Sequence, residues 1–234
     1  MKIAALLWLL LVLPGKQQNP AQPKTAPPAS GELEAVLTQM DKASADFKSM
    51  QADFEWDNYQ KVVDETDKEQ GKVYFRRNRN SVDAMFDVTA PSAKQVLFKA
   101  GKLMLYNPKI DQVTEYEPGK SGADVEAYLG LGFGSPGHEL LKSYDVRMAG
   151  WETIDGVKTA KLELTPLSPK VRSMFSQFVL WIDPQRDVPL KQQVFEPSGD
   201  YWLSHYTGFK LGAKISDDVF HINTTSHTKV VRPQ

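Results

Sequence analysis

Four stretches of the chain carry residue types at spacings from which ligand-binding or catalytic chemistry is commonly built. Gly132-Phe133-Gly134-Ser135-Pro136-Gly137 satisfies G-x-G-x-x-G, the loop whose glycines let a backbone approach a pyrophosphate at a helix N-terminus. That loop works inside a βαβ unit, whereas the segments around it read as antiparallel strands, so a hinge is the expected role. Gly119-Lys120-Ser121 imitates the end of a phosphate loop, but Thr114 stands where the first glycine is required. His138-Glu139 opens H-E-x-x-H, yet position 142 is Lys142, and the second imidazole on the same helix face is missing. Asp64, Glu65, Asp67 and Glu69 surround Lys68; between two strands they read as a solvated hairpin tip. His205, His221 and His227 have no Ser, Asp or Glu at triad or metal-cluster spacing. These residues predict no catalytic group, no metal and no cofactor, hence a protein that is not an enzyme.

Composition narrows the class further. The 234 residues include 28 Lys or Arg and 29 Asp or Glu, for a net charge of -1. A nucleic-acid-binding surface would show a basic excess. With 41% hydrophobic and 24% charged residues, the chain has enough apolar surface to build a core. The absence of cysteine removes disulfides, thiolate metal sites, a cysteine nucleophile and a lipid-modified N-terminal cysteine together. Lys2 precedes the apolar run Ile3–Leu13, which Pro14-Gly15 ends. The run falls short of the roughly 17 to 25 residues a spanning helix needs. Residues 1–15 therefore read as a secretory signal peptide or a short N-terminal anchor, and the expected location is the periplasm. Residues 16–31, with Pro20, Pro23, Pro27 and Pro28, read as an extended linker. A folded domain over 32–222 and a C-terminal tail over 223–234 complete the expected organisation. Balanced charge and a single folded region suggest a monomer.

The elements that must position any site follow from periodicity. Leu33, Val36, Leu37, Met40 and Phe47 keep one stripe apolar and predict an amphipathic helix from Glu32 to about Phe47, with Ser30 as its N-cap. The period then changes to two, in Ala52/Phe54/Trp56, Gly71/Val73/Phe75 and Val82/Ala84/Phe86/Val88. Further strands are expected at 95–99, 103–107, 112–116, 144–149, 158–165, 175–182, 190–196 and 201–211. Short turns such as Ala100-Gly101-Lys102 and Asp155-Gly156 connect them. About eleven antiparallel strands without crossover helices predict an α+β, mostly antiparallel fold, and a twisted sheet of that size must curl. The glycine-rich interruption between residues 118 and 143 offers two short helical candidates, 123–131 and 138–142. Tyr128, Leu129, Leu131 and Phe133 are expected to form a lid over the open mouth.

The inward positions carry an unusual apolar load: Phe54, Trp56, Val73, Phe75, Phe86, Leu97, Leu105, Leu162, Leu164, Phe178, Leu180 and Ile182. Alternation alone leaves two readings open, a packed core or the lining of a ligand cavity of the kind that larger barrels enclose.

The order of several local motifs resembles the LolA-type periplasmic lipoprotein carrier family of bacteria. The resemblance lies in the opening helix, the Phe-bearing strand Ala52-Asp53-Phe54-Glu55 and the strand Gly71-Lys72-Val73-Tyr74-Phe75-Arg76-Arg77. It continues in Met85-Phe86-Asp87-Val88-Thr89-Ala90-Pro91, in the hairpin leading to Tyr106-Asn107-Pro108, and in Leu162-Glu163-Leu164-Thr165-Pro166. It implies an unclosed β-barrel with a helical lid over a hydrophobic cavity. The implied cargo is the acyl chains of lipoproteins, received from an inner-membrane release complex and passed to an outer-membrane acceptor. The resemblance also implies a strand arginine that latches the lid through its carbonyls; by position this is Arg77, with Arg76 as the alternate. Two other functions fit the same residues: a periplasmic module for free lipid or glycolipid, and a regulatory or scaffold domain that binds a protein partner over a filled core.

Overall fold

A computed structural model describes residues 30–78, 82–116 and 131–232. Helix α1 (Ser30–Asp46) buries Val36, Leu37 and Met40, spaced three and four apart, and leaves Glu32 and Glu34 exposed. That one-sided stripe is why the segment is helical and also why it needs an apolar surface to lie on.

Two antiparallel meanders supply the surface. The first runs through β1 (Ser49–Gln60), β2 (Glu65–Arg77), β3 (Val82–Ala90), β4 (Lys94–Lys99), β5 (Lys102–Asn107) and β6 (Gln112–Tyr116). The second follows helix α2 (Gly137–Ser143) and comprises β7 (Tyr144–Ile154), β8 (Val157–Pro166), β9 (Gln177–Asp183), β10 (Val188–Phe195) and β11 (Tyr201–Leu211), with helix α3 (Pro169–Met174) between β8 and β9. Positive φ at both residues of Ala100-Gly101 and Asp155-Gly156 allows two-residue hairpins at these points. Pairing of β1 with β11 joins the meanders into one unclosed sheet, in the order β12-β6-β5-β4-β3-β2-β1-β11-β10-β9-β8-β7.

The short strand β12 (Lys229–Val231) lies in the segment expected as a tail and pairs with β6 in parallel. The described residues thus hold twelve strands where about eleven were expected, and one pair departs from the antiparallel rule. Three residues carry too little pattern to be read as a strand; the free edge of β6 organises them. Helix α3 was also unforeseen. Its signal is local: Ser168 accepts the Val171 N–H and Pro169 occupies the first turn. Of the two helical candidates between the meanders, 138–142 is α2, and 123–131 lies outside the described residues except for Leu131. No helix among the described residues is long and apolar enough to cross a membrane.

The topology has a consequence for the site. β6 and β7 are consecutive among the described strands but lie near opposite edges of the sheet, with a single connection between them. Its described portion, Leu131–Ser143, lies on the inner face together with α1. The outer face of β3–β6 is covered instead by the C-terminal segment, where Phe220 and Ile222 pack with Met85, Leu97 and Val113.

Candidate functional site: a plugged apolar face

Cross-strand register assembles the inner face. Val73 and Phe75 on β2 stand opposite Phe86 and Ala84 on β3, which in turn oppose Val96 and Phe98 on β4. Phe54 and Trp56 on β1 join them. The rings form a continuous cluster, with centroids 4.4 Å apart for Phe54–Trp56, 5.1 Å for Trp56–Phe86 and 5.8 Å for Phe75–Phe86. In the other half of the face, Leu162, Leu164, Phe178, Leu180 and Ile182 are buried against α1.

One short segment, Leu131–Ser135, plugs both halves. Leu131 packs into the Leu162–Ile182 cluster. Phe133 stacks on Phe75, with centroids 4.5 Å apart and planes at 21°, and meets Tyr206 edge-on at 5.1 Å. Both side chains are 4% exposed or less. Polar ties accompany this packing. Gln192 donates to the Leu131 carbonyl and itself accepts the Tyr206 hydroxyl at 2.8 Å. The Gly134 N–H donates to the Asp187 carbonyl at 2.9 Å. Arg77, the last residue of β2, donates through one Nη to the Ser44 carbonyl of α1 at 2.8 Å and through the other to the Gly134 carbonyl. Its guanidinium lies 5.6 Å from the Phe47 ring centroid. Gly134 has φ +65°, and a Cβ there would sit 2.3 Å from the Phe47 ring, so only glycine passes between the arginine and that ring.

Strand alternation separates the two arginines. Arg77 meets the plug, whereas Arg76 turns to the outer face, where it pairs with Asp83 at 2.9 Å, bonds Asp217 and lies 4.5 Å over the Phe220 ring. Leu97 likewise belongs to the outer face. Val96 and Phe98 take the inward positions of β4, so Leu97 pairs with Met85 and packs against Phe220 and Ile222 and does not line the inner face. Leu105 is in register with Val96 but is 37% exposed, outside the packed rings. Tyr128 and Leu129 lie outside the described residues.

The electrostatics of the plug are unusual at three residues. Burial pushes the Asp187 carboxyl up to about 8, against the pull of the Arg77 charge and with a further push from Asp41. Burial also pushes the Tyr206 phenol up to about 12. His138, the remnant of a metal motif in the sequence, fastens α2 to α1. Its ring nitrogens meet Asp41 and Glu34, and its backbone N–H donates to Asp41 at 3.1 Å. The hydrogen bond to Asp41, joined by Glu34, raises the imidazole's affinity for a proton. No cluster of three or more potential metal ligands occurs among the described residues.

Periodicity pointed to the apolar residues of this face but not to Gln192, Tyr206, Asp187 or Ser44. One trace existed for Gln192, a polar residue interrupting the inward run Leu190, Gln192, Val194. A Ser44 carbonyl used as an acceptor leaves no trace in a sequence.

The site is thus an unclosed, mostly antiparallel sheet whose apolar inner face is filled by α1 and by Leu131 and Phe133. Comparison with known proteins is specific about the family. The model of the outer membrane lipoprotein carrier protein LolA matches residues 45–223, and the chain belongs to this family of binding and carrier proteins. Among solved structures, MucB superposes with a TM-score of 0.54 at 17% identity, over 87% of this chain and 66% of MucB, so the chain spans just under two thirds of that protein's length. A conserved protein from Thermus thermophilus also superposes at 0.54, at 13% identity over 86% of this chain and 99% of that one. Both similarities concern the fold. Comparison with curated protein sequences finds no match.

Proposed function

We propose that this protein is a periplasmic carrier that takes the acyl chains of lipoproteins onto its inner face after their release at the inner membrane and delivers them to an acceptor at the outer membrane. The observation that carries the reading is the plug: Leu131 and Phe133 occupy the inner face, yet their segment is tied there by polar contacts from Arg77, Gln192 and Asp187. Entering acyl chains must displace Leu131 and Phe133. Burial of an acyl chain stabilises by about 0.8 kcal/mol per methylene, and several long chains would otherwise bind too tightly to leave. Lost plug contacts offset part of that gain, so binding and release are nearly balanced. Delivery then needs no ATP. Arg77 acts as the latch of the closed state.

Native mass spectrometry of the protein from a detergent-free periplasmic fraction tests the cargo. An acylated protein or peptide is the expected ligand. Phospholipid or glycolipid alone would replace the carrier reading with a lipid-binding module. Empty protein that also refuses a fluorescent fatty acid would favour a partner-binding scaffold. The latch is tested by Arg77→Leu, which leaves the Gly134 carbonyl without its charged donor and should load more readily and release more slowly. Loading and release at parental rates would refute it.

A further inference from the structure

Asp187 is a buried acid with nothing to do in the closed state. It lies in the turn between β9 and β10 at φ +51° and is 0% exposed, and neither carboxyl oxygen has a hydrogen-bond partner among the described residues. Buried polar groups are ordinarily satisfied, because leaving one unpaired costs free energy. The neighbouring Arg186 is not its partner, since that guanidinium bonds Asp183 and lies over Phe209. The charged groups acting on Asp187 are Arg77 from β2 and Asp41 from α1, and Asp41 is already engaged by His138.

Gly134 joins Arg77 to Asp187. Its N–H donates to the Asp187 backbone carbonyl, and its own carbonyl accepts from Arg77. Both residues thus hold the same glycine of the plug, one through its backbone carbonyl and the other through its side chain. When Leu131–Ser135 withdraws, Arg77 loses one of its two acceptors, and the glycine bonded to both residues leaves. One Nη of Arg77, still held to Ser44 through the other, and the unpartnered Asp187 carboxyl are then both short of a partner.

We propose that Arg77 has two seats: the Ser44 and Gly134 carbonyls when the plug is in place, and the Asp187 carboxylate when the inner face is occupied. Asp187 is accordingly a positioning residue for the open state. It gives Arg77 a charge-assisted bond to replace the one that opening breaks. Because the acid is protonated when buried and unpaired, moving to the second seat transfers its proton to the solvent and leaves an ion pair. The inference rests on Leu131–Ser135 being a displaceable plug; it requires no particular cargo.

The test is a double-mutant cycle on the full chain with N-phenylnaphthylamine, an uncharged apolar dye, as ligand. Asp187→Asn keeps the side-chain shape and tolerates positive φ. It should weaken dye binding roughly tenfold, the value of one bond between charged groups. In an Arg77→Leu background the same substitution should change little, since no guanidinium remains to be seated. Calorimetry in buffers of different ionisation enthalpy should find proton release on dye binding at neutral pH and below, and the release should vanish in Asp187→Asn. An equal Asn effect in both backgrounds, or parental affinity with no proton release, overturns the second seat. If Asp187→Asn misfolds, the proton release of the parent chain, compared with that of Arg77→Leu, still decides. Failure of the carrier reading would appear separately, as native cargo that is not acylated protein, with the cycle still coupled.

Discussion

Replacing Phe133 by alanine separates a plug from an ordinary core residue. Phe133 is 4% exposed, stacked on Phe75 and edge-on to Tyr206. Burying such a side chain is worth about 1.5–3 kcal/mol, and its aromatic contacts about 0.5–1.5 kcal/mol more. If the ring leaves the inner face when ligand enters, this stabilisation belongs to the closed state alone. Its loss, about 2–4 kcal/mol, should raise the open fraction and therefore the dye affinity by about 30- to 1000-fold, up to the limit at which the open form dominates. The assay pairs N-phenylnaphthylamine titration with thermal unfolding, and Phe54→Ala serves as the control. Phe54 lies in the same cluster but on β1, so its truncation should lower stability without the same gain in affinity. A Phe133→Ala protein that loses stability but binds dye no better than the parent would refute the displacement argument, because Phe133 would then be holding the only state the protein has.

Three further outcomes are expected. The raised proton affinity of His138 means that its ties to Asp41 and Glu34 contribute fully below the imidazole's unfolded pKa and fade as pH rises through the folded value. Thermal scans of the parent across that range should fall more steeply than those of His138→Gln, and parallel curves would remove the histidine from the α1–α2 junction. Asp187, raised from 3.8 to about 8, binds a proton in the folded state that the unfolded chain has lost. Stability should therefore fall between those values by up to about 1.4 kcal/mol per pH unit; denaturant titrations of Asp187→Asn should lack that slope. Gly134→Ala should clash with Phe47 and force a strained φ, which should be seen as a lower melting temperature together with tighter dye binding. A melting temperature and dye affinity equal to the parent's would show that the glycine is not needed at the latch.

Much of the architecture was legible because it is local. The stripe Val36, Leu37 and Met40 can bury one side only as a helix, and the alternation through Phe54, Val73, Phe75 and Phe86 does so only as strands. The turns at Ala100-Gly101-Lys102 and Asp155-Gly156 were legible too, although Lys102 belongs to β5. Leu97 illustrates where locality fails. It alternates correctly within its own strand, but register with β3 decides which set of β4 residues faces inward, and a shift of one residue reverses the answer. The parallel strand β12 failed for a related reason, since its pairing partner lies more than a hundred residues away.

The same division runs through the site. The sequence by itself determined that alternating strand positions would be apolar, and that two adjacent arginines would end the strand that begins at Gly71. Side-chain type and the period of the backbone suffice for each of these. Only the tertiary structure decided which arginine meets the plug, that Ser44, Gly134 and Asp187 converge on it, and that His138 joins α2 to α1 through Asp41 and Glu34. Those facts depend on carbonyl positions, on an unfilled hydrogen-bonding need and on segments brought together from distant parts of the chain, none of which residue identity or spacing encodes.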